Sequence, residues 1–173
     1  IQMLVWVLFI GIGNAASVIL GNVIGSGDTR KAHEYALKLV RTMVFLAIAT
    51  GWLLIPISKL LPYLYNVDAY ILNQTRLMLM VIVCLYPFRA FNMCMIIGVL
   101  RAGGDTVYAG IADIGGLWGC GLVCGTIAAF VLHLEPWLIF AAFSMEESLK
   151  FIMGIIRLKS GKWLHNVVDT QAR

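Results

Sequence analysis

The stretch LMLMVIVCLYPFRAFNMCMIIGVL, residues 77–100, decides the fold class. Arg89 is its one charged residue. An α-helix rises about 1.5 Å per residue, so a run of this length crosses a hydrocarbon core of about 30 Å. Lipid offers nothing for a free peptide group to bond, so a segment that crosses it closes its hydrogen bonds internally, as a helix does. Toward the N-terminus the run extends to Ala69, giving a segment 69–100 that is long enough to tilt or to project. Similar segments cover about 1–24, 32–61, 106–132 and 136–156. The expected fold is an all-α membrane protein: a transmembrane helical bundle over residues 1–156, followed by a polar tail, 157–173.

Composition agrees. Of the 173 residues, 61% are hydrophobic and 13% charged. Soluble domains have roughly 45–50% apolar and about 25% charged residues. The formal net charge of +4 does not point to nucleic acid, because the cations flank apolar runs and form no solvated stripe. Cys84, Cys94, Cys120 and Cys124 lie in apolar runs without zinc-site spacing, and read as small packed residues. Ile1 is already inside an apolar run, which suggests a piece of a longer protein.

Positive charge orients the spans. Loop one contains Arg30, Lys31, Lys38 and Arg41, loop three contains Arg101, and the tail contains Arg157, Lys159, Lys162 and Arg173. Loop four has only His133 and Glu135, and loop two mixes Lys59, Asp68 and Arg76. Loops one and three and the tail are therefore expected in the cytoplasm.

Two turn signals are nearly identical: Gly25-Ser26-Gly27-Asp28-Thr29 and Ala102-Gly103-Gly104-Asp105-Thr106. In each, glycine can end one helix in a left-handed conformation and Asp can cap the next. The pair hints at a repeated helix-turn-helix unit. Gly13, Ser17, Gly21 and Gly25 form a small-residue ladder, as do Gly115 with Gly119 and Gly121 with Gly125. Such ladders predict close helix packing in lipid. Pro56 and Pro87 predict kinks in spans two and three.

Five charges fall inside spans: Arg89, Asp113, Glu146, Glu147 and Lys150. Each would cost at least about 2.5–3.5 kcal/mol at the bilayer centre without a partner. Counting back from Arg101 and Arg157 puts Arg89 roughly 18 Å deep and Glu147 roughly 15 Å deep. Asp113 and Lys150 come at roughly 12 and 10 Å. The depths predict Arg89 pairing with Glu146 or Glu147, and Asp113 with Lys150. Lys150 can also pair along its own helix with Glu146 or Glu147. Three acids then face two cations, so Glu146 or Glu147 is a candidate proton-relay group, with structural glue as the competing role. Tyr86, Asn92 and Asn14 are candidate walls of a substrate cavity, with interhelical bonding as their simpler role; Asn22 is a further polar group of this kind. No phosphate loop, HExxH, GxSxG or paired CxxC occurs, so no enzyme and no cofactor is expected.

The segment Gly21-Asn22-Val23-Ile24-Gly25-Ser26-Gly27-Asp28, with Arg30-Lys31-Ala32, resembles a motif of the multidrug and toxic compound extrusion (MATE) family. Gly98-Val99-Leu100-Arg101-Ala102-Gly103-Gly104-Asp105-Thr106 is similar to a second. Asp113 with Trp118, Glu146-Glu147-x-x-Lys150, and Arg157-x-x-Ser160-Gly161-Lys162-Trp163 resemble the end of many bacterial members. The loop-motif residues are thus Gly27, Asp28, Arg101, Gly104 and Asp105. The resemblance implies a twelve-helix antiporter in a bacterial inner membrane, of which this chain would form five of the six helices of the C-terminal lobe. It implies efflux of cationic or amphiphilic drugs or metabolites against H⁺ or Na⁺, with the N-terminal lobe as partner. Two departures stand out. Gly119-Cys120-Gly121-Leu122 lacks a proline common in that helix, which implies a straighter one. Phe88-Arg89-Ala90-Phe91 replaces an acid that some members carry there, which argues against a cation site at that place. The acid of helix one that carries coupling in many members lies outside this chain. Alternative functions are a flippase for a lipid-linked precursor with the same fold, or a non-transporting membrane scaffold.

The purified protein is expected to need detergent or lipid to stay folded and dispersed. Sedimentation and circular dichroism in plain buffer check this, and a monodisperse helical protein there would exclude the membrane fold.

Overall fold

Apolar runs become long helices because nothing in them offers the backbone a better partner than itself. The computed structural model describes residues 2–58 and 68–165. Residue 1, positions 59–61 of the expected second span, Lys59 in loop two, and residues 166–173 with Arg173 lie outside the described residues. Helix α1 is Gln2–Gly25, α2 is Thr29–Ser58 and α3 is Ala69–Met93. A π-helical segment, π1, continues α3 over Cys94–Leu100. Helix α4 (Thr106–Gly116) passes through π2 (Leu117–Gly121), α5 (Leu122–Thr126) and π3 (Ile127–Val131). Helices α6 (Pro136–Phe143) and α7 (Met145–Ser160) complete the bundle.

Among the described residues, four stretches are long and apolar enough to cross a bilayer: Trp6–Gly25, Thr29–Pro56, Ala69–Leu100 and Thr106–Val131. The expected fifth, 136–156, is not one helix. It breaks at Ser144, where the Glu147 amide donates to the Ser144 carbonyl in a tighter turn than α-helix. The break lets α7 take its own direction just before Glu146, Glu147 and Lys150, and α7 runs on to Ser160, past the expected start of the tail. The span expected to be straightened by its missing proline is instead interrupted by π2 and π3. Single π turns shift a helix's register and so re-aim the side chains on either side. Pro87 sits inside a continuous α3 and Pro56 near the end of α2.

Helix α2 lies along α3, α1 lies against π1, and α7 fills the angle between α3 and α4. Phe9, Leu20, Met43, Tyr86, Met95, Val99 and Leu100 form the core. The outside is as apolar as the inside: Phe130 is 76% exposed and Trp52 72%. A soluble fold would not leave such faces to water. In hydrocarbon they meet their own kind.

The glycine ladders divide. A Cβ on Gly13 would meet Ile97, and one on Gly98 would lie 3.2 Å from the Ala16 Cβ, so α1 and π1 do approach closely there. Gly21, Gly25, Gly115 and Gly119 have nothing within 4 Å. The close packing expected at those four is absent among the described residues, because they fall on outward faces. Gly116, Gly121, Gly125 and Gly154 carry the contacts instead.

Gly154 is the tightest apolar case: a Cβ there would stand 2.7 Å from the Phe91 Cε1, and that ring is held by Phe151. Gly154→Ala is expected to destabilise the bundle by about 1–3 kcal/mol through overpacking, while Gly115→Ala leaves it unchanged. Thermal midpoints in detergent check the contrast.

Candidate functional site

Helix α7 presents Glu146 and Lys150 on one face, four residues apart, and Glu147 about 100° round from Glu146. The first face looks at α4 and π2, the second at α3. The Lys150 Nζ donates to the Asp113 Oδ1 at 2.7 Å and lies 3.3 Å from the Glu146 Oε2. Across the helix the Arg89 Nε is 3.2 Å from the Glu147 Oε1. Asn92 Nδ2 donates to the Glu147 Oε2 and to the Glu147 carbonyl, each at 2.8 Å. Both interhelical pairs that depth implied are therefore present, and Lys150 makes its intrahelical pair as well.

Glycine makes room for the charges. A Cβ on Gly116 would come within 2.6 Å of the Lys150 Cε, and one on Gly121 within 3.3 Å of the Glu146 Oε2. These two residues bracket π2. The Glu146–Lys150 face thus rests in a trough of bare backbone where the register of the facing helix changes.

The two acids of α7 differ in satisfaction. Glu147 accepts a hydrogen bond from the Asn92 amide and faces the Arg89 Nε by distance but without hydrogen-bond geometry, both on α3. Glu146 is buried and shares a lysine whose hydrogen bond goes to Asp113. Its Oε2 faces Lys150 by distance but without hydrogen-bond geometry. Glu146 is thus the acid of α7 whose cation also serves a second carboxylate. Asp113 is 57% exposed, and with Arg101, Thr106, Ile96, Ile97, Ala109 and Gly110 it lines a pocket of about 160 Å³ beside π1.

The three cavity candidates do not form one wall. Tyr86 is buried with its ring edge-to-face against Phe9 at 5.8 Å, so it belongs to the α1–α3 contact. Asn92 is buried on Glu147. Asn14 is exposed on α1. The loop-motif residues sit at one end of the bundle. Gly27 and Gly104 end their helices with φ of 81° and 80°, a left-handed conformation that glycine adopts without strain. Asp28 caps α2 by accepting the Lys31 amide at 2.9 Å, and this bond and the Lys31 ammonium hold its carboxyl below the usual range. Asp105 does not cap α4 as expected; its carboxylate is taken by Arg157.

Sequence reasoning missed three features. Trp163, placed in the tail, is fully buried. Arg157, read only as an orienting charge, is an ion-pair partner. Gln74 and Trp137 both donate to the Glu135 Oε2 at 3.0 Å, tying α3 to the loop before α6 and holding the Glu135 carboxyl below its ordinary range. An aromatic residue just after a Ser-Gly-Lys helix stop was the one signal available for Trp163.

A bundle with outward apolar faces and inward ion pairs is a multi-pass membrane protein. The MatE family profile matches residues 1–127. The chain belongs to the MatE family. It is 28% identical over 95% of its length to the "Uncharacterized transporter YisQ" of Bacillus subtilis (strain 168), covering 36% of that protein. It is 24% identical over 77% of its length to "Protein DETOXIFICATION 17" of Arabidopsis thaliana, covering 28% of it. To the human "Multidrug and toxin extrusion protein 1" it is 27% identical over 78% of its length, covering 23% of that protein. The chain thus spans about a third or less of the length of these relatives. No solved structure gives a significant match.

Lys150→Met removes the cation between two carboxylates and is expected to cost about 3–5 kcal/mol, the range for breaking a buried pair. Adding Glu146→Gln should restore most of the loss, because one of the stranded charges is then gone. Thermal midpoints and membrane abundance of the single and double variants check this.

Proposed function

We propose that this chain is the C-terminal lobe region of a secondary transporter that exports cationic or amphiphilic molecules by antiport with H⁺ or Na⁺, and that Glu146 is the group in this lobe that gains and loses the coupling charge. The family and the names of its relatives, two of which speak of extrusion or detoxification, support the transport reading. The observation that carries the assignment to Glu146 is its lack of a partner of its own: it is buried beside a lysine already committed to Asp113. With Glu146 ionised, the cluster of Asp113, Glu146 and Lys150 carries one surplus negative charge. A proton on Glu146, or a Na⁺ beside it, neutralises the cluster, ends the pairing of Glu146 with Lys150 along α7 and leaves Lys150 to Asp113 alone. In this reading Arg89, Asn92 and Glu147 are the fixed reference: they hold α7 on α3 while the Glu146 face responds.

Alternating access in such transporters needs two lobes moving about a midplane site. The N-terminal lobe is accordingly the partner, the lipid bilayer the solvent and a small molecule the substrate. Loops one and three and the chain's end then face the cytoplasm of a bacterial inner membrane.

Dye efflux by the intact protein, followed across pH with Na⁺ present or replaced by K⁺, tests the assignment. Glu146→Gln is expected to flatten the pH or Na⁺ dependence while leaving the protein in the membrane. Glu147→Gln is expected to lower abundance and keep the profile of whatever remains. A parental profile in Glu146→Gln would refute the role given to it.

A further inference from the structure

The two Gly-Asp turns have matching backbones and different electrostatics. In the first, the Ser26 amide donates to the Asn22 carbonyl and the Gly27 amide to the Ile24 carbonyl. In the second, Gly103 donates to Val99 and Gly104 to Arg101, at the same spacings. The first turn's aspartate serves its own helix. The second turn's aspartate is buried, and its Oδ2 accepts from the Arg157 Nε at 2.6 Å while its Oδ1 lies 3.4 Å from the His165 Nε2. Asp105 thereby forgoes the helix cap that Asp28 makes. A buried carboxylate bonded to a guanidinium gains a stronger, charge-assisted bond in exchange.

Both partners of Asp105 come from the end of α7 and the residues just after it. The chain turns at Gly161, and the His165 amide donates to the Gly103 carbonyl at 2.9 Å. Between them Trp163 is 0% exposed. A Cβ on Gly103 would overlap the Trp163 carbonyl and come within 2.6 Å of its ring, so only glycine admits the indole there. On its other side the indole stacks toward His33 in the second turn of α2, with centroids 6.4 Å apart. The Arg157 guanidinium also lies 4.5 Å from the Tyr108 ring on α4. The five residues 161–165 thereby reach α2 and the second turn, and Arg157, at the end of α7 just before them, reaches the start of α4.

We propose that residues 161–165 are a strap that fastens the two Gly-Asp turns into one rigid body, with Trp163 as the positioning residue and the Asp105–Arg157 pair as its anchor. Helices α2 and α4 both begin at these turns, so the strap makes their first turns move together. Its consequence for transport rests on the function proposed above; the strap itself does not.

The test uses the intact protein in lipid nanodiscs, with Cys84, Cys94, Cys120 and Cys124 replaced by alanine and spin labels at Arg30→Cys and Val107→Cys. Both label positions are exposed in the first turns of α2 and α4. Dipolar distance measurement is expected to give one narrow distribution in the parent, which Trp163→Ala broadens roughly twofold by releasing that end locally. Trp163→Phe should keep the parental width. Arg157→Gln, which loosens the anchor and leaves the indole, should broaden the same distribution and serves if Trp163→Ala does not accumulate. A parental width in the accumulating variant overturns the strap, whatever happens to transport. If the strap matters to the cycle, the broadened variants lose maximal dye efflux rate several-fold at unchanged half-saturating dye concentration. Broadening with parental efflux would uphold the strap and overturn its part in the cycle.

Discussion

Ionised side chains inside hydrocarbon must be neutralised by one another, and the arrangement of this bundle follows from that requirement. Water would screen a lone lysine or glutamate; lipid does not. Lys150 therefore reaches across to Asp113 on α4, and Glu147 reaches Arg89 and Asn92 on α3. Helix α7 carries charges for both neighbours, so it occupies the angle between them. The trough at Gly116 and Gly121, the π turn between them and the break at Ser144 are all accommodations to that placement.

The same logic holds at the end of the bundle, with a different balance. Asp28 is near solvent and is satisfied by its own helix and Lys31. Asp105, in a similar backbone turn, is covered by the segment after α7 and pairs with a cation at the end of α7. Burial, not sequence, separates the two aspartates. The core of the bundle and this end share one principle: where water is excluded, Lys150, Glu147 and Asp105 each take a partner from another element, and that partner fixes how the elements sit.

Much of this was legible in the sequence. Apolar length alone gives the membrane class, because few other folds tolerate runs such as 77–100. The depth of each charge follows from counting residues, which is why Arg89 with an acid of α7 and Asp113 with Lys150 could be paired beforehand. Rotation about a helix axis was harder. Which of two adjacent acids faces α3 depends on how α7 is phased after Ser144, and no periodicity in a nearly uniform apolar sequence reports that phase. The glycine ladders divided for the same reason: Gly115 and Gly116 are neighbours in sequence, yet one faces outward and the other takes Lys150. The role of Trp163 was hidden because it depends on contacts with Gly103 and His33, sixty and more residues away.

The account stands or falls on what surrounds the outward faces. Spin labels placed singly at Phe45, Trp118 and Phe130 in the bilayer-reconstituted protein, compared for collision with oxygen and with a water-soluble nickel chelate, measure this directly. The account predicts that oxygen relaxes these labels strongly and the chelate hardly at all. Ready access of the chelate to all three would mean that water bathes these faces, and the charges inside would then have no reason to seek each other.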